Sequence, residues 1–146
     1  MRASYRHAVR IAGVVLVSAL LLIPCFWQQR IQAGDLSSHI YNAWLAQLIE
    51  RGQAPGLTIA RQSNNILFDL MLSRLLNAYG AAAAQRIAVS IAVLVFFWGS
   101  FAFVWTYSRE RRAPWGLAPC LAMLAYGWVF RMGLFNFYLS LGLAFG

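Results

Sequence analysis

Two stretches without a charged side chain restrict this chain more than any other feature: Ile11 to Trp27, seventeen residues, and Ile87 to Tyr107, twenty-one. At about 1.5 Å per helical residue, each approaches the ~30 Å of a bilayer's hydrocarbon core. Backbone polar groups in hydrocarbon must be satisfied within the segment, so such stretches predict helices. Trp115 to Phe130 reads as a third, shorter span, and Met132 to Gly146 begins a fourth. The expected fold is therefore an all-α integral membrane domain over 1–146. It has about four transmembrane helices, at 8–27, 87–107, 115–130 and 132–146, with amphipathic interfacial helices in the first outside loop, 28–86. Composition agrees, since 61% of residues are hydrophobic and only 11% charged, against roughly a quarter charged in soluble domains.

The net charge of +8 comes from twelve arginines and no lysine, against four acids. Such a balance would suit nucleic acid, but the arginines stand singly between apolar runs or flank them. That is the arrangement of topology signals and headgroup contacts, so membrane lipid is the expected partner and nucleic acid is not. Arg2, Arg6 and Arg10 precede the first run, and Arg109, Arg111 and Arg112 follow the second. Positive residues mark the cytoplasmic side, which places both flanks inside and the loop 28–86 outside a bacterial cytoplasmic (inner) membrane. A cleaved signal peptide shares the basic start, with Ile31-Gln32-Ala33 as a passable cleavage site. The apolar run exceeds a signal core of about 7–15 residues and ends in the belt-like Phe26-Trp27, so an uncleaved span is expected. Cys25 and Cys120 lie in apolar runs without metal-ligand spacing and read as small buried hydrophobes. Because the sequence stops at Gly146 inside an apolar segment, it reads as the front of a longer polytopic protein.

Polar chemistry is densest in GDLSSHIYNAWLAQLIERG, residues 34–52. Asp35 is placed to cap a helix, its carboxylate accepting first-turn N–H groups, and Gly52 to close it in the left-handed conformation. Asp35, Ser38, His39 and Asn42 share one face by three-and-four spacing, while Leu36, Ile40, Ala43 and Leu48 fall towards the other. A breaker, Gly52-Gln53-Ala54-Pro55-Gly56, follows. A second helix is expected from Asn64 or Asn65 as cap to Tyr79, with Gly80 as its stop and Asp69, Ser73 and Asn77 in one line. Its short apolar run, interrupted by Asp69 and Arg74, suits the interface rather than a crossing.

Asp35, at the outer mouth of the first span, is a candidate general base or metal ligand, with a helix cap as the plainer reading. His39, one turn on, offers a charge pair, a two-ligand metal edge or a phosphate contact, against a structural role. Tyr41, Asn42 and Trp44 supply stacking and hydrogen bonds that suit a sugar ring, although Trp44 equally suits interface anchoring. Among the outer arginines, Arg61 beside Gln62, Asn64 and Asn65 is the best placed to grip a phosphate. Headgroup contact, or an ion pair with Glu50 or Asp69, is the plainer alternative for this group. There is no Gly-rich phosphate loop, GxSxG, HExxH or CxxC in the sequence, so soluble-enzyme chemistry has no foothold.

The order of a first span, an outside Asp on a short amphipathic helix, an interfacial helix and closely spaced spans resembles the N-terminal part of the GT-C class of polytopic glycosyltransferases. That class includes protein O-mannosyltransferases, lipid A aminoarabinose transferases and oligosaccharyltransferase catalytic subunits. The wording GDLSSHIYNAWLAQLIERGQAPG, then NNILFDLMLSRLLNAYG and QRIAVSIAVLVFFWG, is also similar to a group of large bacterial membrane proteins associated with it. The resemblance implies a transferase taking a sugar from a polyprenyl-phosphate-linked donor in the outer leaflet. Asp35 would serve as base or as ligand of a divalent metal, with His39 beside it and Tyr41, Asn42, Trp44, Arg61, Asn64 and Asp69 around the substrate. Many members carry two adjacent acids where this chain has Asp35 followed by Leu36. Acceptor recognition would lie in later loops and domains, so this chain alone is expected to be inactive. A transporter or assembly subunit is the non-enzymatic alternative, but it calls for ionisable groups deeper in the spans, where this sequence has almost none. An inactive truncated product is the third. Sugar, acceptor and oligomeric state have no signature in the sequence.

Overall fold

The computed structural model describes residues 2–27, 29–60, 63–108 and 113–146, with side chains from residue 7 onward. Every regular element among the described residues is helical. Helix α1, Arg2–Trp27, contains the first charge-free run and Pro24, and α2 is Leu36–Glu50. Helix α3, Leu67–Tyr107, is two helices joined end to end at Gly80, where φ is 75° and ψ 169°. A 3₁₀ turn, Trp115–Leu117, leads into α4, Ala118–Ala125; then come α5, Trp128–Met132, and α6, Phe135–Phe145. Helices α1 and α3 are each long and apolar enough to cross a membrane.

Contacts fix the directions in which these elements run. A Cβ on Gly13 would lie 3.5 Å from the Trp115 ring; the Tyr126 hydroxyl donates to the Leu21 carbonyl at 2.5 Å; and the Gly34 N–H donates to the Arg131 carbonyl at 2.8 Å. Residues 13–34 and 115–131 therefore travel side by side in one direction. Phe96 stacks on Tyr138, centroids 4.4 Å apart, and Phe103 packs on Phe145 at 5.0 Å. Between these pairs, a Cβ on Gly99 would overlap the Gly142 carbonyl. Residues 96–103 and 138–145 are thus also parallel to each other, and Gly99 and Gly142 let their backbones approach closely. Trp98 links the pairs, donating to Ser18 Oγ at 3.0 Å and meeting the Trp115 ring edge-on at 6.3 Å. The core between α3 and α6 contains Val89, Val93, Phe97, Phe135 and Tyr138, all fully buried. By contrast α1 leaves Val15, Leu16 and Leu20 exposed, an apolar face that the other described residues do not cover.

Three local expectations are corrected. The stretch 115–130 is not one helix, because Gly127 is extended (φ −75°, ψ −159°) and separates α4 from α5; eight residues of α4 reach only about 12 Å. Asp35 stands at the N-cap position of α2 but makes no side-chain cap hydrogen bond. Asn64 and Asn65 do not cap α3; Ile66 holds that position, while Asn65 takes a left-handed φ of 54°. Two expectations hold in detail. Gly80 breaks the regular backbone where the interfacial helix was expected to stop. Gly52 has φ 69° and donates to the Ile49 carbonyl, and Gln53 donates to Leu48, the paired bonds of a Schellman closure.

Candidate functional site

The site begins at a junction of two glycines. Gly34 and Asp35 donate backbone hydrogen bonds to the Arg131 and Met132 carbonyls, at 2.8 and 3.1 Å. Gly133 closes α5 at φ 78°, and a Cβ there would run into the backbone of Asp35 and Leu36. A Cβ on Gly34 would lie 3.0 Å from the Met132 carbonyl. Only glycine permits this approach without strain, and it sets the start of α2 against the α5–α6 turn. Leu36, 1% exposed, anchors the helix beneath.

One turn into α2, His39 Nδ1 lies 2.5 Å from Asp69 Oδ1. An ionised carboxylate only accepts hydrogen bonds, so Nδ1 carries the proton. The second Asp69 oxygen accepts from Asn136 Nδ2 at 2.6 Å, and Asn136 Oδ1 accepts the Phe68 N–H at 2.7 Å. Phe68 and Phe135, stacked 4.7 Å apart, each meet the imidazole in a T-shaped contact. On the other side of the ring, Nε2 is 3.8 Å from Asp35 Oδ2, an ion-pair distance too long for a hydrogen bond. His39 is the most buried of the three side chains, 14% exposed against 53% for Asp35 and 37% for Asp69.

Both partners are electrostatically tuned, and both lie outside the charge-free stretches. The hydrogen bond to Asp69 raises the His39 pKa above its usual value; burial opposes it, and the charges of Asp69 and Asp35 with the Gly133 backbone reinforce it. Burial pushes the Asp69 carboxyl upward, but hydrogen bonds from His39 and Asn136 and the imidazolium charge outweigh it and hold the pKa below its usual value. The pair is favoured in its charged form, and the neutral imidazole is a stronger base than a free histidine.

A cavity of about 550 Å³ opens beside the pair, lined by His39, Asn42, Asn65, Asp69, Ser73 and Asn136 together with apolar residues of α2 and of the segment before α3. The structure thus brings together His39, Asn42 and Asp69 from the expected set, with Asp35 at the outer edge of the imidazole. Tyr41 and Trp44 do not line the cavity. Tyr41 is turned about 200° and Trp44 about 140° from His39 around the helix, and both aromatics are exposed, their rings 5.7 Å apart. Asn64 is exposed and its neighbour Asn65 lines the cavity in its place. Arg61 lies outside the described residues, as does the basic stretch 109–112. Asn136 was missed; the available signal was a lone carboxamide in an apolar run, a group that must find a partner when buried. The residues do not fit a divalent metal. Among the described residues no three His, Cys, Asp or Glu side chains form a metal-holding group, and His39 Nδ1 is already committed to Asp69.

The arrangement is that of a carboxylate-oriented imidazole. Asp69 fixes Nδ1 as a protonated nitrogen, so in the neutral form of the ring Nε2 is the acceptor and can take a proton from a hydroxyl. Compared with protein families, curated proteins and solved structures, the chain shows no match.

Proposed function

We propose that this chain is a membrane domain of a glycosyl-transferring enzyme that acts on a polyprenyl-phosphate-linked sugar at the outer face of the cytoplasmic membrane. The observation that carries the reading is the His39–Asp69 pair, 2.5 Å apart beside a 550 Å³ cavity. In this mechanism Nε2 of His39 removes the proton from the acceptor hydroxyl as its oxygen attacks the sugar carbon. The bond to the lipid phosphate breaks, and the phosphate leaves with the bonding pair. Asp69 orients the ring and stabilises the imidazolium that forms; Asn136 holds Asp69; Asp35 adds negative charge near Nε2. Asp35 is thereby a supporting group, and His39 takes the role that the family resemblance gave to the acid.

Membrane insertion belongs to the same proposal. Helix α1 and residues 87–107 supply two crossings. Residues 115–131 and α6 supply two more of broken or shorter form, their directions matching the alternation that four crossings require. The loop 28–86 then faces outward, with the cavity at the headgroup level.

The test is sugar transfer from a radiolabelled polyprenyl-phosphate donor, in membranes from cells expressing the gene. A general base is worth about 10²–10⁴-fold, so His39→Gln should cost that much turnover, Asp69→Asn less and Asp35→Asn least. Full turnover by His39→Gln removes the dyad mechanism, and loss confined to Asp35→Asn returns the base to Asp35. A structural reading is favoured by one specific observation: both Asp69 oxygens are occupied, binding α2, α3 and α6 together. On that reading Asp69→Asn lowers thermal stability and turnover in parallel.

A further inference from the structure

A second concavity of about 500 Å³ lies on the other side of the α2 start, between residues 30–40 and Arg131. Among the described residues its charged lining is Arg30 and Arg131, both exposed, with Gln32, Ser37 and Gln85 as polar neighbours. The ion pairs found among the described residues belong to His39, so neither guanidinium has a carboxylate partner there. No side chain caps α2, and its first two residues, Leu36 and Ser37, form part of the pocket wall. The Asp35 carboxylate is not among the lining groups; it lies 3.8 Å from His39 instead. The backbone bond from Gly34 to Arg131 fixes the separation of the two walls. The pocket therefore sets two guanidinium groups, without a carboxylate partner among the described residues, beside the start of α2.

We infer that this pocket binds a phosphate group. Guanidinium forks match phosphate oxygens bidentately, and amide and hydroxyl donors complete the shell. Arg30 follows the end of α1 by three residues, and Trp27, 80% exposed, marks that end as interfacial. This is the depth at which lipid phosphates lie. The inference rests on the membrane placement proposed above but not on the transfer chemistry, because the pocket shares no residue with the cavity beside His39.

The experiment is equilibrium binding to the full chain purified in dodecyl maltoside, a detergent without phosphate. Three probes are used: inorganic phosphate, farnesyl monophosphate and phosphatidylglycerol. Saturable one-to-one binding of at least one probe is expected. Arg30→Gln and Arg131→Gln should each weaken it about 10-fold or more, while Gln85→Ala, which leaves the charge unchanged, should weaken it less. Arg74→Gln, an exposed arginine outside the pocket, should leave it unchanged. Preference for farnesyl monophosphate or inorganic phosphate identifies a monoester site, and preference for phosphatidylglycerol a headgroup site; either supports the inference. No binding of any probe by the wild type overturns it, as does equal weakening by Arg74→Gln or wild-type affinity in the Arg30→Gln/Arg131→Gln double variant. Thermal melts of each variant separate lost binding from lost folding, and the Gln85→Ala variant retains the test if either arginine variant unfolds.

Discussion

At the scale of residues, the His39–Asp69 pair makes stability depend on pH in two opposite ways. The Asp69 pKa is lowered in the folded protein, so its contribution is present above the usual 3.8 and is lost as pH falls through the lower folded value. The His39 pKa is raised, so its contribution is present below the usual 6.5 and is lost as pH rises through the higher folded value. The melting temperature should be highest relative to Asp69→Asn between those two usual values. The gap between wild type and variant should narrow on either side; a gap that stays constant across the range would mean that the pair is not charged in the folded state. Sequence spacing alone was enough to set Asp35 and His39 on one helix face. It could not pair His39 with Asp69 thirty residues away, nor find Asn136, sixty-seven residues beyond Asp69, because the first contact depends on α2 packing against α3 and the second on α6 lying alongside α3. The side-chain cap expected of Asp35 was a local inference, and the packing of Gly34 against Arg131 and Met132 overrode it.

Helices and their crossings depend on a few positions without side chains. At Gly142 an added Cβ would lie 2.7 Å from both N and Cα of Phe96, on the backbone of α3, which cannot move aside as a side chain would. Gly142→Ala must therefore separate α3 from α6 and loosen the Phe96–Tyr138 stack, at a cost of about 1–3 kcal/mol typical of overpacking. Gly116, with open space where its Cβ would point, should accept alanine nearly neutrally. Thermal melts of the two variants side by side check this, and equal melting temperatures would remove the tight crossing. Gly52 and Gly80 were legible because a glycine after a periodic apolar run is itself a stop signal. The break at Gly127 was not, because 115–130 is free of charge throughout and glycine is frequent inside membrane helices, so Gly127 alone does not separate a bent path from a straight one. Its position follows from long-range contacts: Tyr126 donates to the Leu21 carbonyl within α1, and α5 must turn to meet the start of α2.

On the scale of the whole molecule, the uncovered face of α1 and the mostly buried course of α3 describe different surroundings for two helices of similar apolarity. A water-soluble fold would leave Val15, Leu16 and Leu20 in water at about 25 cal/mol for each Å² of apolar area; lipid removes that cost. Contact order adds an independent constraint, since 13–34 and 115–131 run one way and 87–107 and α6 the other. If the chain crosses a membrane along these paths, Gln53, exposed beyond the end of α2, and Arg111, after the end of α3, must lie on opposite sides. Single cysteines replacing Gln53 and Arg111, on a background in which Cys25 and Cys120 are serine, should react with a membrane-impermeant maleimide from opposite faces of intact cells and inverted vesicles. Labelling from the same face would leave an even number of crossings between them. Residues 87–107 would then be a core helix rather than a span, and the cavity beside His39 would lose its reason to sit at the level of lipid headgroups.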